Sequence, residues 1–231
     1  MVATLLHLSP HLSSETDLVL SVVGSFVFGV SGALAAIRAR LDVFGVLVLA
    51  ATVGLAGGIF RDVMLNLRPA ALYDWRLIAA VTIGGILALL LRGPLEHWTA
   101  SIEAFDAAGL AVFCVLGTEI SVAAGAPPVA AILLGTATAV GGGVVRDLLL
   151  ARVPFVLREG LYAVPALLGA TVVVVGDELG AGGVATSVLA FLLCLAVRIV
   201  GMVFHVNLPV TGPEATRPPV RWRPRRDRPR R

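Results

Sequence analysis

Two segments place charge where charge is expensive. Gly57-Gly58-Ile59-Phe60-Arg61-Asp62 lies inside one long apolar run, and Gly141-Gly142-Gly143-Val144-Val145-Arg146-Asp147 lies inside another. An ionised side chain at the centre of a bilayer costs at least about 2.5–3.5 kcal/mol on insertion scales. Such groups either pair off, locking helices together, or line a wet path for ions; the two roles are compatible. Successive side chains on a helix point about 100° apart, so Arg61 is not expected to face Asp62, and each charge needs water or a partner on another helix. Depth in the runs suggests the partners. Arg61 should meet Glu119 in the outer half of the chain, and Asp106 should meet Arg146 or Arg198 in the inner half.

The glycines just before each Arg-Asp pair have two readings. They can let two helix backbones cross closely. Or they can mark real breaks, whose freed carbonyls and half-helix ends face a cavity. The charged pair that follows within a few residues favours the break. No Lys-Ser/Thr follows Gly141-Gly142-Gly143, so a phosphate loop is not supported. The chain shows no nucleophile–base–acid set and no metal-ligand spacing. His7 and His11 lie in the short N-terminus, His205 ends the last apolar run, and Cys114 and Cys194 read as buried free thiols. Neither an enzyme nor a cofactor is expected.

The elements that must carry these residues follow from composition. Of 231 residues, 58% are hydrophobic and only 14% charged, with mean hydropathy +0.94. Soluble domains run at about 45–50% apolar and about 25% charged, so this chain lacks a polar skin and reads as an integral membrane protein. Seven apolar stretches, at about 18–37, 43–66, 76–92, 104–123, 128–150, 160–177 and 183–206, approach the roughly 20 residues that a bilayer core demands. They do not alternate as barrel strands do, so helices are the default. The first run shows no basic start, so a cleavable signal peptide is not expected.

Every basic residue is Arg. Thirteen arginines fall on one side of the implied topology and two, Arg68 and Arg76, on the other. The arginine bias puts the C-terminus in the cytoplasm and the N-terminus outside a multi-pass cell-membrane protein. Eight of the 18 arginines crowd into the last fifteen residues. That tail reads as a disordered anchor beside anionic lipid, in preference to a nucleic-acid arm. Tyr73, Trp75, Trp98 and Tyr162 stand at run ends, as interfacial aromatics do.

The chain repeats itself at an offset of 85 residues. Gly24, Phe28 and Gly32 recur as Gly109, Phe113 and Gly117; Arg61-Asp62 recurs as Arg146-Asp147; Pro69 and Gly84 recur as Pro154 and Gly169. Three helices per copy make each copy enter the membrane from the opposite side, which gives an inverted repeat. The expected organisation is a short outer N-terminus at 1–17, repeat 1 at 18–92, repeat 2 at 103–177, a seventh helix at 183–206 and the tail at 207–231. The fold class is thus all-α: seven transmembrane helices, two three-helix bundles plus one. The Gly-Phe-Gly faces of the first and fourth helices suit either a subunit interface or packing within one protomer.

The doubled Gly-Gly-x-x-Arg-Asp motif resembles the signature of the prokaryotic trimeric intracellular cation (TRIC) channels, also described as tandem glycine-transporter-domain proteins, over about residues 18–206. The resemblance implies a homotrimer in which each protomer has its own pore for K+ and Na+. Kinked second and fifth helices would line it, with kinks at Gly57, Gly58, Gly141, Gly142 and Gly143 and with Arg61, Asp62, Arg146 and Asp147 beside them. The lysine-bearing motif of animal members, tied to phosphoinositide binding, has no counterpart in a chain without Lys. Two rivals share the same features: a secondary transporter of a small zwitterion such as glycine, and a lipid-binding structural protein acting through its tail.

Overall fold

In the computed structural model, residues 15–91, 99–157 and 161–204 are described. Seven helices of sixteen residues or more occupy the apolar runs: α1 Glu15–Arg38, α2 Val43–Met64, α3 Trp75–Leu90, α4 Thr99–Ala123, α5 Pro128–Leu149, α6 Ala163–Glu178 and α7 Val184–Phe204. Five of them (α1, α2, α4, α5 and α7) are long and apolar enough to cross a membrane, and α3 is a shorter apolar helix. Local chemistry sets the starts. Asp42 caps α2 by accepting the Gly45 amide at 2.7 Å, Asp74 caps α3 through Arg76 at 2.9 Å, and Pro128 opens α5 without wasting a donor. The Arg-rich tail, Trp98, Arg92, Arg158 and the histidines His7, His11 and His205 lie outside the described residues.

α1 and α4 form the centre, with the most deeply buried spanning segments, whereas α7 is mostly exposed. The glycine and phenylalanine that open each Gly-Phe-Gly motif meet across α1 and α4, while Gly32 packs on Leu49 and Val53 of α2 and Gly117 on Thr138 of α5. Phe28 stacks on Phe113 with centroids 5.5 Å apart and planes 11° from parallel. The position of a Gly24 Cβ falls 3.1 Å from Phe113, and that of Gly109 falls 2.8 Å from Phe28. Those faces therefore pack inside one protomer.

The glycine-rich segments of α2 and α5 are also contacts. Both helices run unbroken through them, so the expected breaks are absent. A Cβ on Gly57 would clash with the Thr138 carbonyl oxygen, and one on Gly142 with that of Val53. The glycines remove the bulk that would hold α2 and α5 apart. Hydrogen-bonded backbone throughout leaves no carbonyls freed by a break.

The 85-residue offset recurs in the backbone. Arg40 and Gly125 take positive φ (60° and 79°), and so do Asn66 and Ala151 (55° and 53°).

Candidate functional site

Both Arg-Asp pairs stand in the last turns of their helices, where the chain is about to turn back. Each aspartate fastens that turn. Asp62 Oδ2 accepts the Ala70 amide and Asp147 Oδ2 accepts the Phe155 amide, both at 2.9 Å and both eight residues on. The other oxygen takes the neighbouring guanidinium: Arg61 donates to Asp62 Oδ1 from Nε at 2.9 Å and Nη2 at 2.7 Å, and Arg146 donates to Asp147 Oδ1 from Nε at 3.1 Å. The expectation that adjacent charges turn apart is thus overturned. It counted only the direction of Cβ, while arginine has a long, flexible stem that folds sideways to its neighbour.

Around Arg146 the side chains form a buried cluster, in which Arg146 Nη2, Asp106 Oδ2 and the Tyr162 hydroxyl have no hydrogen-bond partner among the described residues. Arg146 Nη1 donates to Asp106 Oδ1 at 2.6 Å and to the Ser31 hydroxyl at 3.2 Å, and its guanidinium lies 5.4 Å over the Phe155 ring. Of the two partners expected for Asp106, Arg146 or Arg198, Arg146 is in place. Arg198 stacks 4.7 Å over the Tyr162 ring and donates from Nη1 to the Leu161 carbonyl at 3.3 Å. Asp106, Arg146, Tyr162 and Arg198 are each no more than 2% exposed. The burial of Tyr162 corrects its reading as an interfacial aromatic; Tyr73 and Trp75, by contrast, are about 70% exposed. Arg146 pairs with both Asp106 and Asp147, and Arg198 brings the second positive charge to the cluster, so the formal charges balance, which is what makes such burial tolerable.

The expected pairing of Arg61 with Glu119 does not form. Arg61 takes Asp62 instead, and Glu119 accepts a hydrogen bond from the Ser187 hydroxyl on α7. Glu119 opens with Asp177, Thr186 and Ser187 onto a cavity of about 420 Å³ between the ends of α4 and α6 and the start of α7. Because α7 lies outside the repeat, the 85-residue pattern gave no hint of Ser187. Ser31 also escaped the sequence reading, and Tyr162 was assigned to the interface instead of the cluster. A serine in an apolar run carries no pattern, whereas the glycine at 143, which makes room for the Tyr162 hydroxyl, was a usable signal. Among the described residues, no group of three His, Cys, Asp or Glu is placed to hold a metal ion.

A family model described as a glycine transporter matches the chain twice, over residues 18–93 and 103–178. The chain is 32% identical in sequence to a TRIC trimeric intracellular cation channel orthologue from Rhodobacter sphaeroides, with a TM-score of 0.80 over 84% of this chain and 100% of that one. This chain belongs to the TRIC family. A second solved TRIC cation channel superposes with a TM-score of 0.78 at 28% identity, covering 85% and 98% of the two chains. Among sequence relatives of this TRIC protein, a UPF0126 membrane protein of Streptomyces coelicolor is 45% identical over 87% of this chain and 92% of its own. The inner membrane protein YadS of Escherichia coli is 33% identical over 82% and 93%.

Proposed function

We propose that this protein is a passive channel for monovalent cations, K+ and Na+, assembled as a homotrimer with a conduction path along α2 and α5 in every protomer. The observation that carries this reading is the likeness to a solved cation channel over 84% of the chain at a TM-score of 0.80. The chemistry is compatible. Arg61 is offset by Asp62 and Arg146 by Asp106 and Asp147, and with Arg198 counted the four arginine and aspartate charges of the repeat 2 cluster sum to zero, so the arginines raise no net positive barrier to a cation. In this reading all seven helices span, the two copies are inverted, and the N-terminus faces outward. Bending at Gly57-Gly58 and Gly141-Gly142-Gly143 opens the α2–α5 crossing, which is closely packed in the present conformation.

Planar-bilayer recording of the purified protein tests this. Under a KCl gradient the reversal potential should lie towards the K+ equilibrium potential, with unsaturating single-channel currents. A purely anionic reversal potential overturns the proposal. The description of the matching family model as a glycine transporter supports one rival, a zwitterion transporter, which predicts saturable, counterflow-capable uptake of labelled glycine into liposomes and no unitary currents. Deleting residues 213–231 should leave conduction intact, because the tail lies outside the proposed path.

A further inference from the structure

The two Arg-Asp motifs are equivalent in backbone and in their aspartate contacts, and each arginine keeps one terminal nitrogen without a hydrogen-bond partner among the described residues, Nη1 in Arg61 and Nη2 in Arg146; the two differ at Nη1. Arg146 Nη1 is held by the Asp106 carboxylate at 2.6 Å. Arg61 Nη1 has no hydrogen-bond partner among the described residues, although Arg61 is only 4% exposed. A buried, charged donor left unpaired is costly, and such a group calls for something to satisfy it.

The glycine one turn earlier shows the same contrast. Residues three apart on a helix are neighbours on its surface. At Gly143, an added Cβ would clash with the Tyr162 hydroxyl and would sit 3.5 Å from Asp106 Oδ1. At Gly58 the same construction meets nothing within 4 Å, and Gly58 is partly accessible. The offset of 85 explains the open space. Where repeat 2 has Asp106 and Tyr162, repeat 1 has Ser21 and Leu77, both buried. Repeat 1 thus keeps the arginine and lacks the carboxylate. Residues 1–14, which precede α1, contain no Asp or Glu to replace it.

We propose that Arg61 Nη1, with the open flank at Gly58 and the Ser21 side of α1, forms a subsite for the carboxylate of a small external monocarboxylate. That carboxylate would take the place that Asp106 fills in repeat 2. A planar guanidinium is suited to carboxylate oxygens, and the protein's own second copy shows which chemical group satisfies this nitrogen. The subsite does not depend on the protein being a channel, since its occupancy is read as binding.

The test uses the full-length protein in detergent, with acetate as the probe and chloride held constant. Acetate should bind saturably by calorimetry and raise the thermal unfolding midpoint. Ser21→Asp, which gives repeat 1 the carboxylate of repeat 2, should weaken acetate binding at least tenfold while keeping or raising the midpoint without acetate. Arg61→Gln should abolish binding; if that variant does not fold, Ser21→Asp alone decides. An absence of saturable acetate binding to the unaltered protein, which would mean that water satisfies Nη1, overturns the proposal. So does equal acetate affinity in Ser21→Asp, or displacement of acetate by chloride at equal concentration. None of these results bears on conduction, so a failure here and a failure of the channel reading are separable.

Discussion

Repeat 1 and repeat 2 use one device to end a helix and have specialised it differently. In both, an aspartate in the last turn holds the preceding arginine and an amide eight residues on. In repeat 2 the arginine is then buried under Asp106, Ser31 and Phe155 beside the Arg198–Tyr162 stack. In repeat 1 it stops at its own aspartate, with open space beside Gly58. The lesson is that the motif itself is a fastener for a turn. What makes a functional constellation is the set of residues that each copy adds around it.

The sharpest way to break the comparison is to remove the added carboxylate. Asp106→Ala leaves Arg146 buried without its interhelical partner, and should cost about 3–5 kcal/mol, the usual penalty for stranding one member of a buried pair. Ser21→Ala at the equivalent place in repeat 1 should stay within about 0.5 kcal/mol, because Arg61 depends on Asp62. Thermal unfolding in detergent measures both. Equal losses would show that the two environments are energetically alike, against their geometry.

Next in size is the glycine pair. Gly143→Ala drives a methyl into the Tyr162 hydroxyl and should cost about 1–3 kcal/mol as overpacking. Gly58→Ala meets open space and should be neutral or stabilise by up to about 1 kcal/mol, since alanine favours helix over glycine. Unfolding midpoints again decide. A loss at Gly58 comparable with that at Gly143 would mean that the flank is occupied by another part of the assembly.

These contrasts also explain what could be read from the sequence. The duplication was legible because glycines and charges are rare enough in apolar runs for their spacing to stand out, and depth alone narrowed the partner of Asp106 to Arg146 or Arg198. The partner of Arg61 was not. Depth ranks residues along the membrane normal but says nothing of the azimuth of a side chain, and Glu119 faces α7, which has no copy in the repeat. The glycine breaks were misjudged because glycine spacing is the same whether a helix opens or is crossed. Only the position of the Thr138 and Val53 carbonyls separates the two cases.

The smallest expected effect lies one turn beyond the aspartates, where both copies need a left-handed residue. Repeat 1 places Asn66 there at φ 55°, and repeat 2 places Ala151 at φ 53°. A left-handed conformation costs an alanine roughly 1–2 kcal/mol through its Cβ, whereas asparagine tolerates it through local hydrogen bonding. Ala151→Asn should therefore stabilise the protein by about 0.5–1 kcal/mol, and Asn66→Ala should lose a similar amount. Glycine at 151 should gain less, because it adds entropy to the unfolded chain. Both substitutions leave the aspartate and arginine contacts untouched, so an unchanged calorimetric profile in Ala151→Asn would mean that the strain is already relieved elsewhere in that turn. Its fastening by the Phe155 amide on Asp147 is then the first contact to remove, by Asp147→Asn in the same background.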